Sequence, residues 1–340
     1  MEAFHNPLTR QKYLEFDQEV ITAMKTQMGF LETELENILH IGSSHNDGLN
    51  GEGPVVFKTK NEQLYQIIHS QAKLKRQYMS TYQQYFETFD KDDAVFDTVK
   101  CTELDEFTTR VEFTGPAVMP KKAQGMVSKM YAIRAQELPD ETHSYSVRQY
   151  EFCVKVKPDQ TSEDKLATLK TYLKIMVPNL LELAMPEEKS FLIVHSDRFF
   201  KEHQGDLTSA EIFEQKRTEF ETKLGQESKC FIVVAIGKKD PTSGLPYDTR
   251  ASDYDDWQAN CDIFMHNGKR TIEVCSMGFR VDGNVLQAQM EEHGKPIEGD
   301  YHLSIMNKDY VQTLGGGIGL DRLRMCKFQL DHIEKSNPNV

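Results

Sequence analysis

The chain lacks the spacings and runs that would place it in several large protein classes. Its six cysteines (Cys101, Cys153, Cys230, Cys261, Cys275, Cys326) stand far apart with no CxxC pair. That excludes a zinc ribbon and, in a chain of 340 residues, argues against a disulfide scaffold. Such cysteine usage fits a reducing compartment, so a cytoplasmic location is expected. No apolar run is long enough to cross a bilayer. Met1-Glu2-Ala3-Phe4-His5 has neither the basic nor the apolar part of a secretory signal. Positive charge is scarce: Lys+Arg 40 against Asp+Glu 53 leave a net charge of −13. This is the wrong balance for a nucleic-acid binder, so neither nucleic acid nor membrane is expected as a partner. There is no early strand–GxGxxG–helix unit, which excludes a Rossmann domain, and no GxSxG elbow, which weakens Ser70 as a hydrolase nucleophile.

What is present reads as one domain spanning 1–340. Hydrophobic content of 39% and charged content of 27% are ordinary for a globular protein. Tyr13, Phe16, Val20, Ile21, Met24 and Met28 recur at helical spacing, and Gly29 ends that helix. Residues 40–53 read as a loop, Tyr65–His69 as a strand, and Ser70 onward as a helix. Strands are expected within 107–134, from Tyr145 to Val156 and at Phe191–Val194. The apolar run Cys230–Ile236 reads as a central strand, with further strands near 261–265 and 271–276. Helices are expected at 163–184 (interrupted near Pro178), 206–224, 282–293, 305–312 and from Asp321. Meander-like strand runs with helices clustered between them favour an α+β fold on a mostly antiparallel sheet.

Several stretches could carry chemistry. Leu314 to Leu323 holds four glycines within residues 315–319, then Asp321 and Arg322 at a helix start. Glycine lets a ligand approach the backbone closely, and a guanidinium on the first turn suits a phosphate or a purine. A Gly-rich turn before a helix explains the run equally well. Arg134 closes an apolar strand, where a bidentate phosphate contact or a solvated strand end are both open. Asp253, Asp255 and Asp256 surround the only tryptophan, Trp257, with Asp262 and Glu273 beyond. Alternating carboxylates can hold an ammonium group or Mg²⁺, or form a solvated patch. Glu273 to Arg280 sets a strand carboxylate near an arginine, as a metal–nucleotide site or a cross-strand ion pair would. At His69–Arg76 a strand–helix junction places Ser70 and Lys75 where a carboxylate would bind, or where serine simply caps a basic helix. His143 and His195 have no partners at metal-ligand spacing.

Together these residues resemble a known family. Arg134, Gln136-Glu137, His143 and Gln149-Tyr150-Glu151-Phe152 resemble motif 2 of the class II aminoacyl-tRNA synthetase fold. Gly315-Gly316-Gly317-Ile318-Gly319-Leu320-Asp321-Arg322-Leu323 resembles its motif 3. His69 to Gln77, Asp248 to Trp257 and Cys275-Ser276-Met277-Gly278-Phe279-Arg280-Val281-Asp282 are similar to the aspartate–ammonia ligase family, the ammonia-dependent asparagine synthetases. The likeness spans roughly residues 10–335. It implies a class II synthetase-like core: a mostly antiparallel sheet flanked by helices. It also implies ATP-dependent amidation of L-aspartate by ammonia through a β-aspartyl-adenylate, with Mg²⁺ required and a homodimer as the assembly.

The resemblance further assigns roles. Arg134 would hold the α-phosphate and Arg322 the far end or base of ATP, over Gly317 and Gly319. Asp262 and Glu273 would bind Mg²⁺. Ser70 and Lys75 would take the α-carboxylate of aspartate; Gln149, Glu151 and Asp255 would face its ammonium. Arg250, Ser276 and Arg280 are further substrate contacts, and Asp47 would orient ammonia. Three departures stand out. Motif 1 lacks its proline in Phe30–Asn37, Glu151 replaces an expected aspartate, and Cys275 replaces an expected serine. An aspartyl- or asparaginyl-tRNA synthetase would need an anticodon-binding barrel, for which a core helix starting near residue 8 leaves no room. A non-catalytic amino-acid sensor would be expected to lose Arg134, Arg322 or Glu273, and all three are present.

Overall fold

Alternating apolar and polar residues condense into one long twisted sheet, and the helical stripes pack on its two faces. The structure is a computed structural model that describes residues 7–35, 38–40, 55–68, 70–94, 96–116, 118, 124–133 and 138–336. In chain order, α1 (Pro7–Thr26) leads into β1 (Phe30–Glu32), β2 (Ile38–His40), β3 (Val55–Lys58) and β4 (Leu64–Ile67). Next come α2 (Ala72–Thr81), β5 (Val99–Glu103), β6 (Thr108–Phe113), β7 (Gly125–Ile133) and β8 (Ser146–Lys155). The middle holds α3 (Ser162–Ala184), β9 (Ser190–His195), α4 (Ser196–Glu202), α5 (Ala210–Glu227) and β10 (Cys230–Val234). β11 (Asp255–His266), β12 (Thr271–Arg280), α6 (Gly283–Glu292), α7 (Gly299–Met306), β13 (Thr313–Gly319) and α8 (Leu320–Lys327) follow.

The main sheet runs β1-β7-β8-β13-β12-β11-β10-β9-β6-β5. Among its described strands only β1/β7 and β10/β9 pair in parallel, so the expected mostly antiparallel sheet is what forms. β2, β4 and β3 make a small separate sheet. One face of the main sheet is sealed by α1, α3 and α8. There Phe16, Val20, Leu173, Val177, Leu323 and Met325 pack against Phe152, Leu314 and Ile318. On the other face α5 covers β9 and β10. At the far end α6 and α7 gather around Tyr254 and Val281. The strip of β8, β13, β12 and β11 between these blocks is left open for a site.

Several elements differ from their sequence signals, each for a physical reason. Pro178 does not interrupt α3, which is continuous. The hydrogen bond that proline removes is outweighed by Leu173, Val177, Leu180 and Leu181, all wholly buried around it. The helix expected at 305–312 lies earlier, at Gly299–Met306. It stops where Lys308 adopts a left-handed φ of 61°. β11 and β12 begin and end further out than their apolar cores suggested, and this extension pairs Asp255 with Arg280 across the strands. The glycine run is a central strand and not a turn.

A buried charge cluster ties the core helix to the site strip. Lys165, on the first turn of α3, donates to Asp256 of β11 at 2.8 Å and to Asp282, the N-cap of α6, at 2.6 Å. The Asp256 side chain is 1% exposed. Lys165→Met would leave that carboxylate buried and unpaired, and is expected to destabilise the protein by about 3–5 kcal/mol. Denaturant unfolding measures this, and a loss below about 1 kcal/mol would mean the pair is not holding these elements together.

Candidate active site

The register of four strands lays out the site as a row. Ser128 of β7 stands opposite Glu151 of β8, and Glu151 opposite Gly317 of β13. Gly317 in turn faces Ser276 of β12, which faces Asp262 of β11. The period-2 alternation of β13 sends Leu314 and Ile318 into the core and Gly315, Gly317 and Gly319 onto the open face. A Cβ at Gly317 would come 2.9 Å from the Gln149 Oε1, and one at Gly315 3.3 Å from an Arg280 guanidinium nitrogen. The centre of the sheet is therefore a bare backbone floor with charged walls. Above it lies a cavity of about 390 Å³.

Of the residues expected to act, Ser70, Gln149, Glu151, Arg250, Asp255, Asp262, Glu273, Ser276, Arg280, Gly317, Gly319 and Arg322 all line this one cavity. Lys75 is not on its wall. It is wholly buried behind Glu151, with Nζ 3.9 Å from Glu151 Oε1. Asp47 and Arg134 lie outside the described residues.

The walls are held by specific bonds. Arg322, on the first turn of α8, donates to the Thr142 carbonyl at 3.2 Å and the Glu273 carbonyl at 3.1 Å. The Glu273 carboxylate lies 3.5 Å away. The turn beneath Arg322 is fixed by its neighbour Asp321, which forms a buried pair with Arg148. At the opposite end Arg280 pairs with Asp255 and lies over the Tyr254 ring at 5.2 Å. Between them Arg250 pairs with Asp262 and lies 3.1 Å from Asp248. Burial alone would lower the Arg250 pKa, but Asp262, Asp248 and Glu273 around it raise it, so it stays charged. Its Nε is buried with no acceptor among the described residues.

The acidic run around the tryptophan does not form one site. Asp253 turns to Lys73 at 2.9 Å, Asp255 to Arg280, and Asp256 to Lys165 in the core. Trp257 is buried beneath Lys239 and beside His293. Among the described residues no three metal-ligating side chains converge.

One end of the cavity is formed by α5, for which the local sequence carries no signal. Arg217 donates to Asp248 at 2.9 Å and to Glu214 at 2.7 Å, and Tyr247 donates to Glu221 at 2.9 Å. On the sequence Arg217 and Glu221 look like solvated positions of an amphipathic helix; only the folding of 245–250 over them makes them cavity residues. Burial pushes the Glu221 carboxyl from 4.5 up to about 7, against the opposing effect of Arg217. A carboxyl raised in the folded state favours folding while protonated, and this contribution is lost as pH rises from 4.5 through 7. Glu221→Gln is therefore expected to raise Tm relative to the parent at pH about 8 and to give no gain at pH about 5. Equal shifts at both pH values would contradict this assignment.

These features define the class. The asparaginyl-tRNA synthetase from Pyrococcus horikoshii, solved with asparaginyl-adenylate, superposes with a TM-score of 0.57 at 13% identity, over 97% of this chain and 68% of that one. The aspartyl-tRNA synthetase from Entamoeba histolytica gives 0.51 at 14% identity, over 97% and 56%. The fold is thus that of class II aminoacyl-tRNA synthetases. Within that fold the sequence is more specific. The family model described as aspartate-ammonia ligase matches residues 118–338. A protein of that name from Mycoplasmoides gallisepticum is 29% identical, over 92% of this chain and 86% of its own. One from Clostridium tetani is 28% identical, over 94% and 84%. The chain belongs to the aspartate–ammonia ligase family and is a ligase.

Proposed function

We propose that the protein amidates L-aspartate with ammonia to L-asparagine at the cost of ATP, through a β-aspartyl-adenylate, releasing pyrophosphate and AMP. The observation that carries this reading is the row Glu151–Gly317–Ser276–Asp262. It sets the Glu151 carboxylate on one side, and Asp262 with its Arg250 partner on the other, of a floor made by Gly317 and Ser276, which suits an ammonium group at one end and an anion at the other. A carboxylate does not react with ammonia until one oxygen becomes a good leaving group. Transfer of AMP to the β-carboxylate supplies that group: the carboxylate oxygen bonds to the α-phosphorus and pyrophosphate departs. Ammonia then adds to the acyl carbon, loses a proton and expels AMP.

The residues act by holding and neutralising rather than by covalent chemistry. Glu151, Asp255 and Gln149 receive the α-ammonium, with Ser70 at the α-carboxylate end, while Lys75, buried behind Glu151, supports the Glu151 carboxylate and does not touch the ligand. Arg322 and Arg134 hold phosphates, and the buried Nε of Arg250 remains to donate to an anion. Asp47 orients ammonia. Mg²⁺ needs only one or two carboxylates when phosphate oxygens complete its shell. The hard oxygens of Glu273 and Asp262 fit that need, although Asp262 must exchange its Arg250 partner. Mg²⁺ bound there would neutralise phosphate charge. The single catalytic domain, the homodimer and the cytoplasmic location follow from the same reading. Among the described residues no helix is long and apolar enough to cross a membrane.

Aspartate-dependent exchange of labelled pyrophosphate into ATP, without ammonium, tests the adenylate. Exchange that requires aspartate supports it; asparagine formation with no exchange under any condition counts against a released-pyrophosphate intermediate.

A further inference from the structure

Gln71, which none of the roles above include, occupies the junction between the substrate wall and three other parts of the fold. It is wholly buried. Its backbone N–H donates to Glu151 Oε2 at 2.8 Å, while the neighbouring Ser70 hydroxyl donates to Glu151 Oε1 at 2.9 Å. Its side-chain oxygen accepts from Lys75 Nζ at 3.0 Å and from Ser128 Oγ at 2.5 Å. Its side-chain N–H donates to the Leu35 carbonyl at 3.0 Å. One glutamine therefore binds α2 to β7, to β8 and to the segment after β1.

This arrangement matters because of what Glu151 and Lys75 are. Glu151 is a methylene longer than the aspartate expected there, and Ser70 with Gln71, the N-cap of α2, gathers its carboxylate. Ser70 spends its proton on Glu151 and accepts from the Ala72 N–H at 3.0 Å, so it serves the carboxylate before it serves any ligand. Lys75 is wholly buried, and among the described residues its hydrogen bond goes to the Gln71 oxygen at 3.0 Å, with Glu151 further off at 3.9 Å.

We propose that Gln71 is a positioning residue for amino-acid binding, fixing Glu151 and Lys75 together so that the carboxylate presents its remaining lone pairs to an ammonium group in the cavity. The inference rests on the reading of Glu151 as the acceptor for the aspartate ammonium. Burial pulls Lys75 down to about 8, with Glu151 and Cys153 of β8 raising it and Arg280 of β12 lowering it further. The Gln71 oxygen accepts from the charged ammonium at 3.0 Å, and a hydrogen bond to the charged form favours that form, so loss of this acceptor is expected to lower the Lys75 pKa further.

The test is calorimetric titration of aspartate, from pH about 6.5 to 9.5, into the full chain saturated with Mg²⁺ and a non-hydrolysable ATP analogue. Parent, Gln71→Met and Gln71→Glu are compared. Gln71→Met keeps the volume and removes the acceptor. Its aspartate Kd is expected to rise about tenfold or more, with nucleotide Kd unchanged and the alkaline loss of binding starting at lower pH. Gln71→Glu keeps an acceptor beside Lys75 and should recover most of the affinity, with the alkaline loss moved to higher pH. A residue that only stabilised the fold would not move that limb in opposite directions. If Gln71→Met does not fold, the direction of the Gln71→Glu limb decides alone. Aspartate binding within about twofold of the parent in Gln71→Met, or limbs moving the same way in both variants, overturns the proposal and leaves the ligase reading standing. A parent that binds nucleotide but no aspartate overturns the role of Glu151, and this proposal with it.

Discussion

Arg322→Ala is expected to lower kcat/KM for ATP by about 10²–10³-fold while leaving the fold intact. The guanidinium sits on the first turn of α8 at the cavity wall. Its own bonds go to the carbonyls of Thr142 and Glu273, so it is oriented before any ligand arrives. A preoriented cation costs little reorganisation when phosphate charge moves, as it would in the proposed adenylation, and for that reason its loss is expected to fall on the reaction. Arg322→Lys keeps the charge but not the planar fork, and should recover only part of the rate. Steady-state kinetics at varied ATP check both variants. A decrease below about fivefold in Arg322→Ala would remove this residue from the phosphate site.

Gly316→Ala should cost about 3 kcal/mol or more, enough to lower Tm sharply or prevent folding. Gly316 is not a conformational exception; it is a matter of space. A Cβ there would lie 2.3 Å from the Ser276 carbonyl oxygen and 2.4 Å from the Met277 Cβ, atoms of the paired central strand that cannot swing aside. Gly319→Ala is the control, because its nearest neighbour would be at 3.6 Å. Its stability should stay within about 1 kcal/mol of the parent. Thermal unfolding of the two variants side by side decides this, and similar losses would show that crowding is not what keeps glycine at 316.

The same run shows what a sequence can and cannot reveal. Four glycines read locally as a turn, because glycine weakens strands in isolation. Here the strand is imposed by its neighbours β8 and β12, and glycine survives because a Cβ would strike the Phe152 carbonyl from 315, β12 from 316 and the Gln149 side chain from 317. Arg322 at a helix start was legible, since Leu320–Lys327 has helical spacing and follows a break. Asp255 and Arg280 were legible as separate candidates, but their pairing depends on how far β11 and β12 extend. The fan of Asp253, Asp255 and Asp256 toward three different lysines and arginines was not legible. Carboxylates close in sequence look like one cluster until Asp253 falls in the turn before β11 and the alternation of the strand sends Asp255 and Asp256 to opposite faces. Lys75 carries the spacing of a solvated basic helix, and burial of that face against β8 depends on contacts distant in sequence. Arg217 and Glu221 were hidden for the same reason: a helix face becomes a cavity wall only when a distant loop closes over it.

The central claim is an amide-forming reaction at this cavity. It is tested most directly by incubating the protein with Mg-ATP, aspartate and ammonium, without tRNA, and quantifying asparagine, AMP and pyrophosphate together. Equal amounts of all three, with asparagine absent when ammonium is withheld, is the predicted result. Pyrophosphate and AMP formed without any asparagine, or asparagine formed with ADP and phosphate, would contradict it.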